Sequence, residues 1–163
     1  MANPLTAERL RALFYYDPVT GQFSRLVTAG GQVPGPVRSK PDKLGYLNIA
    51  VDRKIYKAHR LAWLYLFGVW PSRDIDHIDG VPSHNWIANL REATESQNKI
   101  NEKRRKDNTS GFKGAKPHGT KWQARIKIYG VRKSLGYYDT PEEAHEAYMS
   151  AARHYYGAFA RAS

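Results

Sequence analysis

The chain of 163 residues is long enough for one ordinary domain or for roughly two to three very small ones. Its 26 Lys and Arg side chains outnumber 15 Asp and Glu, and the net charge of +11 favours a polyanionic partner, either nucleic acid or an anionic membrane surface. The absence of cysteine excludes disulfides, thiolate zinc sites and thiol nucleophiles.

The charge is unevenly distributed. Residues 1–70 carry ten basic and four acidic side chains, residues 71–107 seven of each, and residues 108–163 nine and four. A neutral middle therefore lies between two basic flanks. Binding to phosphates needs only cations, so the carboxylates in the middle need another explanation. Composition leaves two explanations open: a metal site, or solvated carboxylates that balance neighbouring Arg and Lys.

The first 70 residues predict a helix, a hairpin and a second helix. Thr6 is a good N-cap, and the apolar spacing continues to Phe14, before the turn sequence of residues 17–21. A loop rich in Gly and Pro follows. The remaining predicted elements are a half-buried strand over 45–51, a turn at Asp52-Arg53-Lys54, a strand over 55–57, and a buried helix over 59–67 that ends at Gly68.

The middle of the chain predicts two short strands and a helix. The strands cover residues 74–78 and 90–93 and are separated by a polar loop. Thr94 is the expected N-cap of a helix that runs to about Lys106, with basic residues in its last turn.

A boundary is predicted at residues 107–111, and strands follow it. Apolar residues alternate with Gln123, Arg125 and Lys127, so one face of this strand is apolar and the other cationic. A further strand covers 132–138, and Thr140-Pro141-Glu142-Glu143 is a helix start with a capping box. We expect a three-stranded sheet packed on one helix, with the cationic face turned away from it.

Asp76, His77 and Asn98 are the candidate chemical groups. Carboxylate and amide oxygens suit Mg²⁺, and a neighbouring histidine can take a proton from an attacking water. Adjacent strand residues point to opposite faces, so Asp76 and His77 share a site only if the strand ends or twists there.

Several short motifs lie between residues 74 and 101, and together they match one family pattern without an internal gap. They are Asp76-His77-Ile78-Asp79-Gly80, then Asn85, Asn89-Leu90-Arg91, Ala93-Thr94 and Ser96-Gln97-Asn98. This pattern resembles the HNH endonucleases of the phage and free-standing homing type, in which asparagine replaces the last histidine of the HNH name. The upstream stretch Ala58-His59-Arg60-Leu61-Ala62-Trp63 is also similar to the segment that precedes the site in these enzymes.

The resemblance implies a ββα-metal fold with one divalent cation, Mg²⁺ or alternatively Mn²⁺. Asp76 and Asn98 would be the metal ligands and His77 the general base. Asn89 would tie the loop and orient His77. For His59 we expect packing at the start of a helix, or a phosphate contact, rather than catalysis.

The C-terminal segment resembles a second family. Its motifs are Ser110-Gly111-Phe112-Lys113-Gly114, Lys121-Trp122-Gln123-Ala124-Arg125, and Leu135-Gly136-Tyr137-Tyr138 with the helix start that follows. Over residues 108–160 they are similar to AP2 DNA-binding domains, which place a three-stranded sheet in the major groove.

The second resemblance implies five DNA contacts. Lys113, Lys116, Lys127 and Arg132 fall on basic contact positions of the AP2 family. Arg125 stands where the plant proteins usually have Glu, and Ser134 where they usually have Trp. The base preference of the plant proteins is therefore not transferred, and a basic module with generic phosphate affinity is the alternative.

Together these observations predict an α+β protein in three parts. Residues 1–70 would form a basic helix and hairpin region, residues 71–107 the HNH nuclease motif, and residues 108–163 an AP2-like DNA-binding domain. We expect a metal-dependent endonuclease that acts on double-stranded DNA. The alternatives are a catalytically silent DNA-binding regulator and an RNA-binding protein.

The expected setting is intracellular. The N-terminus lacks the apolar segment of a signal peptide, and no apolar run approaches a membrane span. If the gene belongs to a phage, the protein would act in the cytoplasm of a bacterial host. No membrane or protein partner is predicted, and the sequence leaves monomer and homodimer open.

Overall fold

The computed structural model describes residues 5–28, 30–102 and 108–161. The chain divides into two compact units, Met1–Glu92 and Ala93–Ser163. This division falls inside the stretch that carries the HNH-like motifs. The predicted three-part organisation, with boundaries after residues 70 and 107, stays a prediction. No helix within the described parts of the chain is long and apolar enough to cross a membrane.

The first unit is a mixture of short helices and small antiparallel sheets, as expected for an α+β protein. Strands β1, β2 and β3 form one sheet, β4 pairs with β5, and β6 pairs with β7. The elements are α1 (Ala7–Leu13), β1 (Phe14–Tyr16), β2 (Phe23–Arg25), β3 (Gly35–Pro36), β4 (Asn48–Val51), β5 (Lys54–Lys57), α2 (Ala58–Phe67), β6 (Asp74–His77), a one-turn 3₁₀ helix (Ile87–Asn89) and β7 (Leu90–Ala93), whose last residue belongs to the second unit.

The N-terminal helix begins as predicted and ends earlier. The side chain of Thr6 accepts a hydrogen bond from the Arg9 amide, which confirms its role as N-cap. The prediction that the helix continues to Phe14 is wrong, because Phe14 already has extended backbone angles and begins β1. Three consecutive aromatic residues favour a strand, and pairing with β2 satisfies their backbone groups.

Helix α2 forms the centre of the first unit. Leu61, Ala62 and Leu64 are buried on it and pack with apolar residues of α1, β1 and β4. The predicted end at Gly68 is confirmed, since this residue has a left-handed φ of 77° and its amide donates to the Leu64 carbonyl. The helix therefore ends at Phe67, ahead of strand β6.

The second unit contains the remaining elements. The predicted N-caps Thr94 and Thr140 are confirmed, each in a capping box. The helix predicted from Thr94 to about Lys106 ends at Asn101, and the rest of that prediction lies partly outside the described residues. The elements are α3 (Glu95–Asn101), β8 (Ala115–His118), β9 (Lys121–Ile128), β10 (Val131–Tyr138), α4 (Pro141–Tyr156) and a one-turn 3₁₀ helix (Gly157–Phe159).

The predicted sheet on one helix is confirmed. Strands β8, β9 and β10 form an antiparallel sheet in the order β10-β9-β8. Ala124, Ile126 and Ile128 are buried with residues of α4, whereas Arg125 and Lys127 are exposed. The alternation of apolar and cationic residues on β9 therefore gives the sheet an inner and an outer face.

Helix α3 is built into this second unit by two residues. The Ile100 side chain lies in the apolar cluster with Ile126, Tyr148 and Met149. The Lys113 side chain is 9% exposed, and its ammonium donates to the carbonyls of Ile100 and Glu102 at 2.8 Å each. It also donates to the Arg161 carbonyl at 2.9 Å. Lys113 therefore caps the C-terminal end of α3 and ties it to the end of the chain.

Replacing Lys113 with Met should loosen α3. The three carbonyls would lose a charged donor, which we expect to cost about 2–3 kcal/mol of local stability. Hydrogen exchange of the α3 amides should then become roughly 30- to 150-fold faster. Lys121→Met is the matched control, because Lys121 is half-exposed and its ion pair with Asp139 contributes little. Unchanged exchange in α3 of Lys113→Met would contradict this role.

Candidate active site

The candidate site begins where β6 ends. The strand covers Asp74–His77, so Asp76 and His77 are its last two residues, and both side chains are buried. The chain then turns at Gly80, whose amide donates to the His77 carbonyl, and returns through the 3₁₀ helix to β7. The strand thus ends at the position that the sequence required if Asp76 and His77 are to share a site.

Asn85 holds the imidazole of His77. Asn85 Oδ1 lies 3.1 Å from His77 Nε2, and both residues are buried. The Asn85 amide nitrogen donates to the Ser83 carbonyl at 3.2 Å, which assigns the oxygen to the histidine. Because an amide oxygen only accepts, Nε2 carries the proton. In the neutral imidazole Nδ1 is then the basic nitrogen.

Two aromatic rings pack against His77. The His59 ring meets it edge-on at a centroid distance of 5.1 Å, and the Tyr46 ring lies 6.0 Å away. Burial lowers the pKa of His77 below its ordinary value, although the hydrogen bond to Asn85 acts in the opposite direction. Burial also lowers the pKa of His59, to about 3. Both imidazoles are therefore neutral at pH 7, as a proton acceptor must be.

Asn85 is itself fixed by the N-terminal part of the unit. The hydroxyl of Tyr16 donates to the Asn85 carbonyl at 2.7 Å, and the Pro18 carbonyl accepts from the Ile87 amide at 3.0 Å. Gly21 has a left-handed φ of 73°, and a Cβ atom there would overlap the backbone of Asn85 and Trp86. The loop between β6 and β7 therefore rests on the β1–β2 hairpin.

Asn89 closes the same loop from inside. Its side-chain oxygen accepts from the Asp79 amide, and its amide nitrogen donates to Asp79 Oδ1 and to the His84 carbonyl. Asp79 also contacts His84 Nδ1 at 2.6 Å. This is the position that the resemblance gave to a loop-tying residue. The His77 ring, however, donates a hydrogen bond to Asn85, to which the sequence had given no role.

The two predicted metal ligands lie in different units. Asp76 is in the first unit, where Arg91 Nε donates to its Oδ2 at 2.9 Å. Asn98 is on α3 of the second unit. In the described part of the chain, no group of three or more His, Asp or Glu side chains could hold a metal ion. A shared cation on Asp76 and Asn98 therefore stays a prediction.

The donor chemistry of these two residues fits a hard cation. In proteins, Mg²⁺ favours oxygen ligands such as those of carboxylate and amide groups. Mg²⁺ commonly takes one or two protein oxygens and completes its shell with water and phosphate. An aspartate oxygen and an asparagine oxygen are therefore donors of the kind that suits Mg²⁺.

Of the five predicted DNA contacts, four are exposed cations. Lys116, Arg125, Lys127 and Arg132 lie on the strands of the second unit. Lys113 differs because its ammonium is directed at three backbone carbonyls. An ammonium has three N–H groups, so these contacts use all of its donors. This geometry favours a structural role for Lys113 over contact with a phosphate.

Two contributors to the site were not predicted from the sequence, and the contact of a third with His77 was not foreseen. Asn85 stood inside the motif without an assigned role, and its only signal was an amide in a loop eight residues after a histidine. His59 was expected to pack at the start of a helix or to contact a phosphate, and the structure places its ring against His77. Tyr46 comes from the segment before β4, and no feature of the local sequence indicated it.

Part of the chain is similar to a known family of proteins. The family model described as HNH endonuclease matches residues 56–100. The match includes Asp76, His77, Asn89 and Asn98, and it extends across the division between the two units. This segment is therefore similar to HNH endonucleases, and the similarity supports a nuclease that acts on DNA. No curated protein and no solved structure matches the chain.

Substituting Gly21 with Ala should destabilise the first unit strongly. The change combines a left-handed backbone with overlap against the Asn85 and Trp86 backbone, and we expect the free energy of unfolding to fall by about 3–4 kcal/mol. Gly68→Ala is the control, because its φ is similar but no atom lies within 4 Å, and it should cost about 1 kcal/mol. Urea unfolding followed by tryptophan fluorescence measures both, and equal losses would contradict the packing of the loop on the hairpin.

Proposed function

We propose that the protein is a metal-dependent DNA endonuclease of the homing type, and that an AP2-like module in its C-terminal part helps to select the site. The observation that carries this proposal is the imidazole of His77. It is buried at the end of β6, it is held in one tautomer by Asn85, and it lies in the segment matched by the HNH endonuclease model.

In this mechanism His77 is the general base. Nδ1 takes a proton from a water molecule whose oxygen attacks the scissile phosphorus in line. A bond forms between this oxygen and phosphorus, and the bond between phosphorus and the 3′ oxygen breaks. Asn85 keeps the proton of the neutral ring on Nε2, and the neighbouring rings of His59 and Tyr46 limit how the imidazole can rotate.

Asp76 and Asn98 are the proposed ligands of one divalent cation, Mg²⁺ or alternatively Mn²⁺. When bound, such a cation stabilises the extra negative charge on the phosphorus group and on the leaving oxygen. Arg91 holds one oxygen of Asp76, which fixes the direction of the carboxylate. Asn89 keeps the loop between β6 and β7 closed around this region.

The second unit is proposed to deliver the nuclease to DNA. Its sheet has one buried face and one cationic face, and the exposed Lys116, Arg125, Lys127 and Arg132 are suited to phosphate contacts. Three strands about 4.8 Å apart give a sheet roughly 10 Å wide, which fits a major groove about 12 Å wide. Lys113 is removed from the proposed contacts because of its carbonyl partners.

Cleavage of supercoiled plasmid DNA tests the nuclease proposal. We expect conversion to open-circular or linear DNA with Mg²⁺, no conversion with EDTA, and a rate roughly 10²- to 10⁴-fold lower for His77→Ala. DNA affinity should be largely retained in this variant. Cleavage by His77→Ala at the wild-type rate would rule out the assigned base. Binding without cleavage of phage and host DNA under any divalent metal would favour a silent regulator.

The role of Asn85 is tested by two variants of the same residue. Asn85→Ala removes the acceptor for Nε2 and should slow single-turnover cleavage roughly 10- to 100-fold without weakening DNA binding. Asn85→Asp keeps an acceptor at this position and should recover part of the rate. Thermal unfolding of both variants reports how much protein is folded. If Asn85→Asp is as slow as Asn85→Ala at equal folded fraction, the imidazole is not positioned in this way.

A further inference from the structure

The outer face of the sheet in the second unit holds a neutral polar cluster. Gln123 Nε2 donates to the Ser134 hydroxyl at 3.1 Å and to the Tyr137 hydroxyl at 3.4 Å. The ring of His118 packs on the ring of Tyr137 at a centroid distance of 4.9 Å. We call Gln123, Ser134 and Tyr137 the amide cluster. Its members face the side of the sheet that is turned away from α4.

An irregularity in β10 creates this cluster. Ser134 and Tyr137 are three residues apart, so in a regular strand they would point to opposite faces. The register shifts between Ser134 and Gly136, where Ser134 pairs with Arg125 and Tyr137 pairs with Gln123. The extra residue, Leu135, returns Tyr137 to the outer face. Both hydroxyls therefore reach the amide of Gln123.

Cations surround the amide cluster. Lys116 lies opposite Gln123 on β8, Arg125 lies opposite Ser134, and Lys127 lies opposite Arg132. Cations of this kind bind phosphates of any sequence, so they supply affinity without specificity. A neutral amide between them adds little to attraction toward phosphates. It does offer a hydrogen-bond pattern that a base edge can match.

The hydrogen bonds within the cluster determine what it can recognise. Both N–H groups of the Gln123 amide are used by the two hydroxyl oxygens, which leaves Oε1 as the acceptor for a ligand. Ser134 and Tyr137 accept from Gln123, so their own O–H groups are available as donors. In the major groove, amino groups are presented by adenine at N6 and by cytosine at N4, each beside an acceptor.

We propose that Gln123 is a specificity-determining residue that selects a base pair through the amino group of adenine or cytosine. This inference rests on the proposed binding of the sheet in the major groove. Oε1 accepts from the amino group, and the hydroxyls of Ser134 and Tyr137 donate to the neighbouring acceptor on the same base pair. The bulge at Leu135 thus serves recognition, because it brings both hydroxyls to one side.

The test is selection of bound duplexes from a randomised library, with the full chain in EDTA so that bound DNA is not cut. The wild-type protein should enrich a motif with adenine or cytosine at one position. Gln123→Ala should lose the preference at that position, a discrimination of roughly 5- to 150-fold, and keep it elsewhere. Gln123→Glu retains an acceptor but has no N–H groups for the two hydroxyls, so it should keep only part of the preference. Its overall affinity should also be lower because of the added negative charge.

Lys127→Ala is the matched control from the same face. It should weaken binding to all sequences about equally and reduce the slope of log K against log salt by about 0.9, without changing the motif. Gln123→Ala should leave that slope unchanged, because the amide carries no charge. The two variants thus separate recognition of bases from attraction to phosphates.

A base analogue identifies the contacted atom. In the selected duplex, the adenine is replaced by purine without the 6-amino group, or the cytosine by 2-pyrimidinone without the 4-amino group. The wild type should lose affinity for this duplex, and Gln123→Ala should bind both duplexes equally. This comparison also decides between adenine and cytosine as the recognised base.

The result that would contradict the inference about Gln123 differs from the result that would contradict the proposed function. If Gln123→Ala enriches the same motif as the wild type, Gln123 does not determine specificity. Duplex binding without any sequence preference also overturns the role of Gln123, and it leaves the nuclease proposal standing. If the full chain binds no duplex DNA at any salt concentration, the proposed function itself fails, and the inference fails with it.

Discussion

The buried hydrogen bond between Asn85 and His77 is the contact on which the candidate site depends. A histidine side chain rotates about two bonds and has two tautomers, and catalysis as a base requires one orientation and one tautomer. Asn85 favours the tautomer with the proton on Nε2, while the rings of His59 and Tyr46 restrict the orientation of the imidazole. Because burial keeps the imidazole neutral at pH 7, it can accept a proton without first losing one.

The hydrogen bond between Asn85 and His77 also links the N-terminal region to the candidate site. Asn85 belongs to an irregular loop, and such loops have few backbone partners of their own. Here Tyr16 and Pro18 form hydrogen bonds with the backbone of the loop, and Gly21 leaves the space in which the backbone of Asn85 packs. The region that precedes the family match thus supports the imidazole of His77 indirectly, by holding the residue that contacts it.

The HNH segment is completed by the C-terminal part of the chain. The family match ends at residue 100, yet α3 lies in the second unit, where Ile100 packs with Ile126 and Tyr148. Lys113 caps this helix from beyond the segment. A truncated chain that ends near residue 107 would lose both interactions. The module that we propose for DNA binding therefore also builds the helix that carries Asn98.

The sequence predicted local structure well where one residue decides it. Caps such as Thr6, Thr94 and Thr140 depend on one side chain and the next turn, and all three are confirmed. The alternation on β9 predicted its two faces correctly. The start of β1 at Phe14 was missed because its pairing with β2 outweighs the helical spacing. Contacts across long sequence distances, such as Tyr46 with His77, leave no local pattern.

The charge of a side chain does not by itself predict its role. Lys113 and several carboxylates of residues 71–107 are examples. A lysine in a basic module predicts contact with phosphate, but whether its ammonium reaches solvent depends on the packing of α3 and the chain end. In the middle segment, composition left a metal site and solvated charge as alternatives. The structure adds a third use for these groups. Asp79 accepts from the Asn89 amide group and contacts His84, and Glu92 accepts from the Ser72 amide.

The contacts of Asp79 and Glu92 make these two carboxylates less suitable than Asp76 as a metal ligand. Asp79 and Glu92 accept hydrogen bonds from backbone amides that hold a loop or a strand end, and moving either carboxylate would cost those bonds. Asp76 instead accepts from the side chain of Arg91. Asp76 is the carboxylate that combines burial, a position beside the held imidazole, and an arginine that fixes its direction. The carboxylates described in residues 71–102 thus have separate tasks. Asp79 holds the loop between β6 and β7, and Glu92 holds the segment that leads into β6.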